Sequence, residues 1–537
     1  MNIALSANEL IEAAAPTKNT AASNRADGVS IILLPLLGIV LLATNHWFTA
    51  VDDEIAIIDW AAQPVSKTLG LFLSGVGEHE HPPLWDLILH GWLRLTGGQI
   101  HLLRVLPIFF YLLGAWGLAK AAKQLGGPKS QMWVAGLIVL WPYGFHFGRL
   151  AAWYSFSFFV VSMLTWAYLK YVEQRNGKTW LCVTLASLAL VYCNYFGWAL
   201  LACLALDFLL RSRKSALSPW RSLLGTGVLL CVAYLPLAAA FLHEVRVGSK
   251  TGHSLVTNIL AGTYNLYCLF ISESVAPWFW AAGALAGMAI AVVFLATLWV
   301  CPPPARRFLL YFIALLAALS ILGVVTTKRI MLIGPWLVLP IGVALSALAA
   351  GRLRRTLLAS LAIIAGIGWY GIFARNLYAA PRWVEPWEEV GRRAAHVVRN
   401  GGIAIGDHPA FFFYLTYLLP PAEAKSQPFS GLLPDSVRRA NVYTPQQWLE
   451  ANHPAGAAML FAKGVHYGMP EAPIADTQNW LDQNCLLQSD ERFVPDAGKA
   501  LKDRYAPQAA QPVWRVEVRQ YTCRGQTDAR KDEEAIR

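Results

Sequence analysis

Acidic residues are concentrated just after the first apolar segment of this 537-residue chain. Fourteen Asp and Glu residues precede position 374, and seven of them lie between positions 50 and 87. They are Asp52, Asp53, Glu54, Asp59, Glu78, Glu80 and Asp86. A carboxylate held at a membrane surface, with like-charged neighbours, suits general-base chemistry. An acidic helix cap or a solvated loop would give the same pattern, so position alone leaves these interpretations open.

The run Glu78-His79-Glu80-His81 precedes Pro82-Pro83. Proline restricts the residue before it to extended conformations, so Glu80 and His81 should be presented by a stiff backbone. In such a backbone His79 and His81 project to the same side. His79, Glu80 and His81 are therefore candidate ligands of a divalent metal ion, although loop histidines are more often simply hydrogen-bonded.

Three cations lie at the ends of apolar segments: Arg149, Lys328 and Arg329. Snorkelling to the membrane interface would explain them. They lie, however, at the external ends of these segments, where the positive-inside rule disfavours cations in short loops. Their presence there indicates an anionic partner such as a lipid phosphate.

The elements that must position these residues are membrane helices. The chain is 56% hydrophobic and 14% charged, whereas an ordinary soluble domain is about 25% charged. Apolar runs of helical length recur from residue 29 to 373. They predict about eleven membrane helices at 29–49, 101–122, 131–148, 154–172, 179–194, 196–211, 221–242, 277–299, 308–326, 332–350 and 356–373.

Charge placement predicts the orientation of these helices. Of the 25 Lys and Arg residues before position 374, 17 fall on alternate connections, which the positive-inside rule assigns to the cytoplasm. The N-terminus is then cytoplasmic, and the acidic loop and everything after residue 373 are external. Residues 374–537 contain 19 basic and 19 acidic residues, so the net charge of +11 belongs to the membrane half. This placement gives no support to a nucleic-acid partner.

The fold class predicted is a polytopic α-helical membrane protein with a C-terminal extracytoplasmic α/β domain. We expect a disordered cytoplasmic tail at 1–28, a transmembrane domain at 29–373 and a disordered tail at 525–537. The transmembrane domain includes an external loop at 50–100 with interfacial helices, one of them at Pro83–Thr96, and a second external loop at 243–276. Short apolar runs alternating with helical stretches predict the α/β domain at 374–524.

Cys485 and Cys523 are the only cysteines of the predicted outer domain. In an oxidising compartment they are candidates for one disulfide, and two free buried thiols are the alternative.

These features together resemble the GT-C superfamily of membrane glycosyltransferases, in particular the bacterial family 39 relatives of aminoarabinose transferase and protein O-mannosyltransferase. The resemblance covers about 50–350. Its clearest motifs are Asp53-Glu54, Glu80-His81-Pro82-Pro83-Leu84, Leu93-Arg94-Leu95-Thr96-Gly97 and Leu103-Arg104-Val105-Leu106-Pro107. Weaker matches are Gly148-Arg149 through Trp153-Tyr154-Ser155, Tyr192-Cys193-Asn194-Tyr195-Phe196, and Thr327-Lys328-Arg329.

The resemblance implies a site and a reaction. Asp53 would be the catalytic carboxylate and Glu80 a supporting acid. Aminoarabinose transferases usually have Lys at the position of His81, so this contact differs. The remaining substrate-binding candidates are Glu54, His81, Arg149, Tyr154, Lys328 and Arg329.

The implied donor is a polyprenyl-phosphate-linked sugar, and the implied acceptor is lipid A or core glycan, another polysaccharide or a protein of the envelope. Transfer would be an inverting single displacement on the external face of a bacterial inner membrane. No cofactor is required by this chemistry, although a divalent metal ion could take part.

A transporter or flippase of lipid-linked sugars is the alternative function. Such proteins often contain paired repeats and helix breaks near mid-membrane. The sequence contains no internal repeat, and its ionisable residues lie mostly at segment ends. A non-catalytic scaffold would leave the acidic loop unexplained.

Overall fold

Helices dominate the computed structural model of the chain up to Ala374, and a small β-sheet lies beyond Pro386. The structure describes residues 20–50, 52–74, 81–212, 220–248, 254–276, 279–375, 377–378, 386–406, 408–420, 445–452, 454, 456–465, 472–493 and 515–523.

Apolar helices form the first part. Among the described residues, six helices are long and apolar enough to cross a membrane, and shorter apolar helices accompany them. A helix overlaps each predicted segment, so the polytopic helical fold class is confirmed. These helices are Thr20–Ala43, Val105–Val139, Tyr154–Gln174, Gly177–Cys193, Gly197–Ser212, Trp220–Tyr234, Trp280–Val300, Pro303–Ile321, Pro335–Ala347 and Arg352–Ala374.

The longest of them, Val105–Val139, is two helices joined at a break. Gly127 has a φ of 76°, a conformation open to glycine, and Pro128 follows it. A Cβ at Gly144 or Gly148 would meet the ring of Tyr111, so the chain after the break returns alongside the helix before it. The sequence-based separation of 101–122 from 131–148 agrees with this break.

Short helices and 3₁₀ turns collect at one end of the bundle, which we call the site face because it carries the connection 44–53. They are Asn45–Trp47, Asp52–Ala62, Val65–Ser74, Leu84–Thr96, Ile100–Leu103, Pro142–Phe147 and Arg329–Leu332.

The helix Leu84–Thr96 matches the element predicted at Pro83–Thr96, and part of its polar face lies inside the protein. Asp86 is buried, with 3% of its surface exposed, and does not face water. The ring of His90 places Nδ1 2.7 Å from the carbonyl oxygen of Ala61. Packing against the helix Asp52–Ala62 turns this part of the face inward.

The predicted loop 243–276 also contains more helix than expected. Ala238–Gly248 and Leu255–Ile271 are helical, because polar residues only interrupt an otherwise apolar run. Asn258 Nδ2 donates to the carbonyl oxygen of Ile321 at 3.3 Å, and Trp141 Nε1 donates to that of Leu269 at 2.6 Å. Leu255–Ile271 is thus bonded through Asn258 to the end of Pro303–Ile321 and through Leu269 to Trp141, which precedes Pro142–Phe147 of the site face.

The second part contains a four-stranded sheet of order β1-β2-β4-β3. Its strands are β1 Ile403–Gly406, β2 Ala458–Val465, β3 Cys485–Phe493 and β4 Arg515–Cys523. The β1–β2 pair is parallel, and the other two pairs are antiparallel. The helices are Trp387–Arg399, Pro409–Leu418, Pro445–Asn452 and Ala472–Asn484.

The apolar runs of the sequence correspond to β1, β2 and β4, whereas β3 is an edge strand whose side chains are mostly exposed. Polar residues can therefore occupy it, and it left no apolar signal in the sequence. At its first residue Cys485 pairs across the sheet with Cys523, and the two form a disulfide.

Candidate active site

Asp53 lies in the first turn of the helix Asp52–Ala62, where the positive end of the helix dipole favours a carboxylate. Its side chain is 31% exposed. The hydroxyl of Tyr154 donates to Asp53 Oδ2 at 2.9 Å. The ammonium group of Lys328 forms an ion pair with the same oxygen. The fold thus brings together an acid, a phenol and a cation that are far apart in the sequence.

Tyr154 reaches Asp53 because it is the first residue of the helix Tyr154–Gln174. It is 2% exposed, and its ring packs 4.7 Å from that of Trp153 and edge-on to Phe147. Helix packing and ring contacts therefore leave its hydroxyl little freedom.

Lys328 is held by its neighbour Thr327. The hydroxyl of Tyr143 donates to the Thr327 carbonyl oxygen at 2.7 Å, and Thr327 Oγ1 donates to Glu273 Oε1 at 2.6 Å. Glu273 is 5% exposed and lies just after the helix Leu255–Ile271. Sequence reasoning placed Glu273 in an external loop without assigning it a role. The signal for Glu273 in the sequence was that it is a single acidic residue in an otherwise apolar stretch.

Glu54 has a different environment from its neighbour Asp53. Its carboxylate is fully buried and accepts from Arg104 Nε at 2.8 Å, Arg104 Nη2 at 2.6 Å and the Ala151 amide at 2.8 Å. These are the contacts of a structural ion pair. They do not favour the substrate contact predicted for Glu54, because the group is turned away from solvent.

Arg104 was part of a matching motif, but no role was predicted for it. In addition to Glu54, its guanidinium donates to the backbone oxygens of Asn45, Phe48 and Thr49 at 2.9, 2.9 and 3.0 Å. It is 1% exposed. One buried side chain thus fixes much of the connection that leads to Asp53.

Arg149 is also completely buried. It donates to the carbonyl oxygen of Phe145 at 2.9 Å and to the backbone and hydroxyl oxygens of Thr44 at 2.6 and 3.0 Å. The ring of Phe145 lies 3.9 Å from its guanidinium carbon. The structure brings Arg149 to the start of the connection 44–53, and these contacts do not include Asp53. Burial argues against the phosphate contact predicted for it.

Arg329 is adjacent to Lys328 but is directed elsewhere. Its Nη1 donates to the carbonyl oxygen of Val324 at 3.4 Å, and its backbone amide donates to Thr326 Oγ1 at 3.3 Å. The phosphate contact predicted for Arg329 stays a prediction.

His81 is buried beside Asp86. Its Nε2 lies 3.9 Å from Asp86 Oδ1, and its ring lies 5.8 Å from that of Trp153. Burial raises the pKa of Asp86 to about 6, and this rise is opposed by the charge of His81. Through Trp153 this pair borders Tyr154.

His79 and Glu80 lie outside the described residues, so their predicted roles stay predictions. Within the described ranges, no three His, Cys, Asp or Glu side chains are grouped to hold a metal ion.

Residues 80–239 match the family model of dolichyl-phosphate-mannose-protein mannosyltransferase. Among curated proteins none matches the chain significantly.

Solved structures are similar over nearly the whole chain. ArnT from Cupriavidus metallidurans bound to undecaprenyl phosphate is 16% identical with a TM-score of 0.52, and the alignment covers 91% of this chain and 97% of that one. Its apo form is 15% identical with a TM-score of 0.54, and the coverages are 92% and 98%. Archaeal oligosaccharyltransferase AglB from Archaeoglobus fulgidus is 11% identical with a TM-score of 0.43, and the coverages are 82% and 69%.

The chain therefore shares its fold with ArnT, and the predicted resemblance to GT-C polyprenyl-phosphate-sugar glycosyltransferases is confirmed by the family-model match and this shared fold.

Proposed function

We propose that this membrane protein is a glycosyltransferase that moves a sugar from a polyprenyl-phosphate donor to a hydroxyl group of an envelope glycan, glycolipid or protein. The observation that carries the proposal is the partly exposed carboxylate of Asp53, bound by Tyr154 and Lys328 at the end of an apolar helical bundle. The family match and the ArnT-like fold support it.

The position of Asp53 suits a lipid donor. A polyprenyl chain stays in the bilayer, so its phosphate and sugar are confined to the membrane surface. The site face carries Asp53 at the end of the bundle, where such a headgroup can reach it. We propose that this face is the external face of a bacterial inner membrane, following the charge distribution of the connections.

In the proposed reaction Asp53 accepts the proton of the acceptor hydroxyl as that oxygen attacks the anomeric carbon. The new glycosidic C–O bond forms while the bond from the anomeric carbon to the phosphate oxygen breaks. The electron pair of the broken bond leaves with the polyprenyl phosphate. A single displacement of this kind inverts the anomeric configuration.

Lys328 would have two partners during this reaction. Without substrate its ammonium group pairs with Asp53. A donor phosphate would compete for the same ammonium and free Asp53 to accept a proton. Lys328 would then stabilise the charge that develops on the leaving phosphate. Tyr154 would keep the carboxylate oriented, and Glu80 would contact the acceptor.

The experiment compares membranes with wild-type protein, Asp53→Asn and the matched control Asp59→Asn, which lies in the same helix. Because the amide cannot accept the proton, Asp53→Asn should lower sugar transfer from a radiolabelled polyprenyl-phosphate sugar by roughly 10²–10⁴-fold. Asp59→Asn should leave the rate nearly unchanged.

The acceptor class is read from mass spectrometry of envelope glycolipids and glycans from cells with and without the protein. Wild-type transfer by an Asp53→Asn variant present at normal level would refute the assignment of the base. Movement of the intact donor across proteoliposomes, with no sugar transferred, would instead support the transporter alternative.

A further inference from the structure

An aromatic helix of the predicted outer domain (374–524) contacts the connection 44–53, which leads to Asp53. This helix, Pro409–Leu418, packs against Asp52–Ala62, and its Phe411, Phe412 and Phe413 are buried. The hydroxyl of Tyr414 accepts a hydrogen bond from the backbone amide of Ala50 at 2.9 Å. Ala50 is fully buried, and Tyr414 is 4% exposed.

The contact matters because buried backbone groups need partners. From Phe48 to Ala50 the chain is neither strand nor helix, so side chains supply much of the pairing. Arg104 donates to backbone oxygens of this connection, and Tyr414 accepts from its Ala50 amide. Asp53 follows only three residues later.

The two anchors come from different parts of the molecule. Arg104 belongs to the helical bundle and ends on Glu54, the neighbour of Asp53. Tyr414 belongs to the outer domain. Displacing either anchor would free the peptide that sets the entry into the helix Asp52–Ala62, and the carboxylate of Asp53 would move with it.

The outer domain has other contacts that fix its position on the bundle. His101 Nε2 lies 3.8 Å from Glu388 Oε1, and the ring of Tyr417 lies against Gly98. The Tyr417 contact involves Gly98, whereas the carbonyl oxygen of His101 accepts from Asn45 Nδ2 of the connection at 2.8 Å. Tyr417 is therefore a matched control for Tyr414, since both phenols are on one helix and only Tyr414 bonds the connection.

We infer that the outer domain positions Asp53 for sugar transfer, with Tyr414 and the bundle residue Arg104 as positioning residues that together hold the connection 44–53. The inference rests on the proposed function of Asp53. It gives the outer domain a role in the rate of the chemical step, separate from any contact with the acceptor.

The test compares full-length wild-type protein with Tyr414→Phe and Tyr417→Phe in detergent. Loss of the Tyr414 hydroxyl should lower kcat by about tenfold, because small displacements of a catalytic group are costly. The KM for the polyprenyl-phosphate sugar should stay within about twofold, because the donor contacts remain. Tyr417→Phe should keep both values.

Hydrogen exchange provides a second readout that does not depend on activity. Amide exchange in peptides covering 44–55 should become faster in Tyr414→Phe and stay at the wild-type rate in Tyr417→Phe. Unchanged exchange and kcat in Tyr414→Phe would overturn the positioning role. Equal losses in both variants, together with a lower Tm, would also overturn it by showing a general docking role. Absence of sugar transfer by the wild-type protein would instead refute the proposed function.

Discussion

At the scale of residues, two adjacent acids of the chain have different environments. Asp53 is partly exposed and shares an oxygen between Tyr154 and Lys328. Glu54 is buried and bonds Arg104. Removing one partner of a buried ion pair leaves an uncompensated charge, so loss of Glu54 should destabilise the fold around the site. Lys328 and Arg329 also differ, since the ammonium group of Lys328 pairs with Asp53 and the guanidinium of Arg329 donates to the Val324 carbonyl oxygen.

Lys328→Gln and Arg329→Gln test this difference. Lys328→Gln removes the charge beside Asp53 and should lower kcat by about 10²-fold, as expected for loss of a group that stabilises a developing anion. Arg329→Gln should cost less than about fivefold, because its guanidinium bonds the Val324 carbonyl oxygen. Transfer assays with a defined lipid donor measure both. Equal losses would show that both cations contact the phosphate.

Asp86 should make stability depend on pH. Burial raises its pKa from 3.8 to about 6, so folding favours the protonated form. This stabilisation is complete below pH 3.8 and is lost as the pH rises through about 6. The difference in pKa corresponds to about 3 kcal/mol at most.

The measurement for Asp86 is the thermal unfolding of detergent-solubilised protein between pH 5 and 7.5. Asp86→Asn stays neutral, so its Tm should fall less than that of the wild type over this range. Asp59→Asn serves as the control. Parallel curves for wild type and Asp86→Asn would contradict the assignment.

At the scale of elements, close helix packing places Tyr154. Gly114 of Val105–Val139 faces the helix Tyr154–Gln174, and a Cβ there would lie 2.7 Å from Phe158 and 2.8 Å from the backbone of Phe159. Small residues permit such close approach between membrane helices. Because Tyr154 is the first residue of Tyr154–Gln174, this close approach sets the position of the Tyr154 hydroxyl that donates to Asp53.

Gly114→Ala should therefore separate these helices. The methyl group meets backbone, which cannot move aside as a side chain tip can, and we expect a destabilisation of about 1–3 kcal/mol. Gly136→Ala is the matched control, because no heavy atom lies within 4 Å of a Cβ at that position. The Tm and the rate of sugar transfer should both decrease for Gly114→Ala and should stay at the wild-type values for Gly136→Ala. A Gly114→Ala variant with wild-type Tm would contradict this packing.

At the scale of the whole molecule, charged groups form two clusters, one at each end of the helical bundle. Tyr154 starts its helix at Asp53, and Tyr168 of the same helix donates to Asp207 Oδ2 at 2.6 Å. Their separation of fourteen positions spans roughly 20 Å in a helix. Asp207 is buried and paired with Arg211 and Arg307. This second charge cluster joins three helices far from the proposed reaction. We therefore interpret it as a structural contact that holds these helices together.

Much of the fold was predictable because its signals are local. Apolar length predicts membrane helices, and the break at Gly127-Pro128 follows from backbone preferences. The carboxylate of Asp53 and the cation Lys328 were also predicted, since charged residues next to a membrane segment are conspicuous. Glu273 and Arg104 could not be assigned roles, because a charged residue that holds a backbone segment has no distinctive spacing.

By itself the sequence determined the membrane class, the apolar segments and the residue types available for chemistry. The tertiary structure decided which of those residues meet. Asp53 and Glu54 are adjacent acids with the same surroundings in the sequence. Only packing turns Asp53 toward Lys328 and buries Glu54 against Arg104. The role of Tyr414 likewise depends on a contact across 364 positions of the chain. Such contacts depend on how distant elements pack, which a local pattern does not specify.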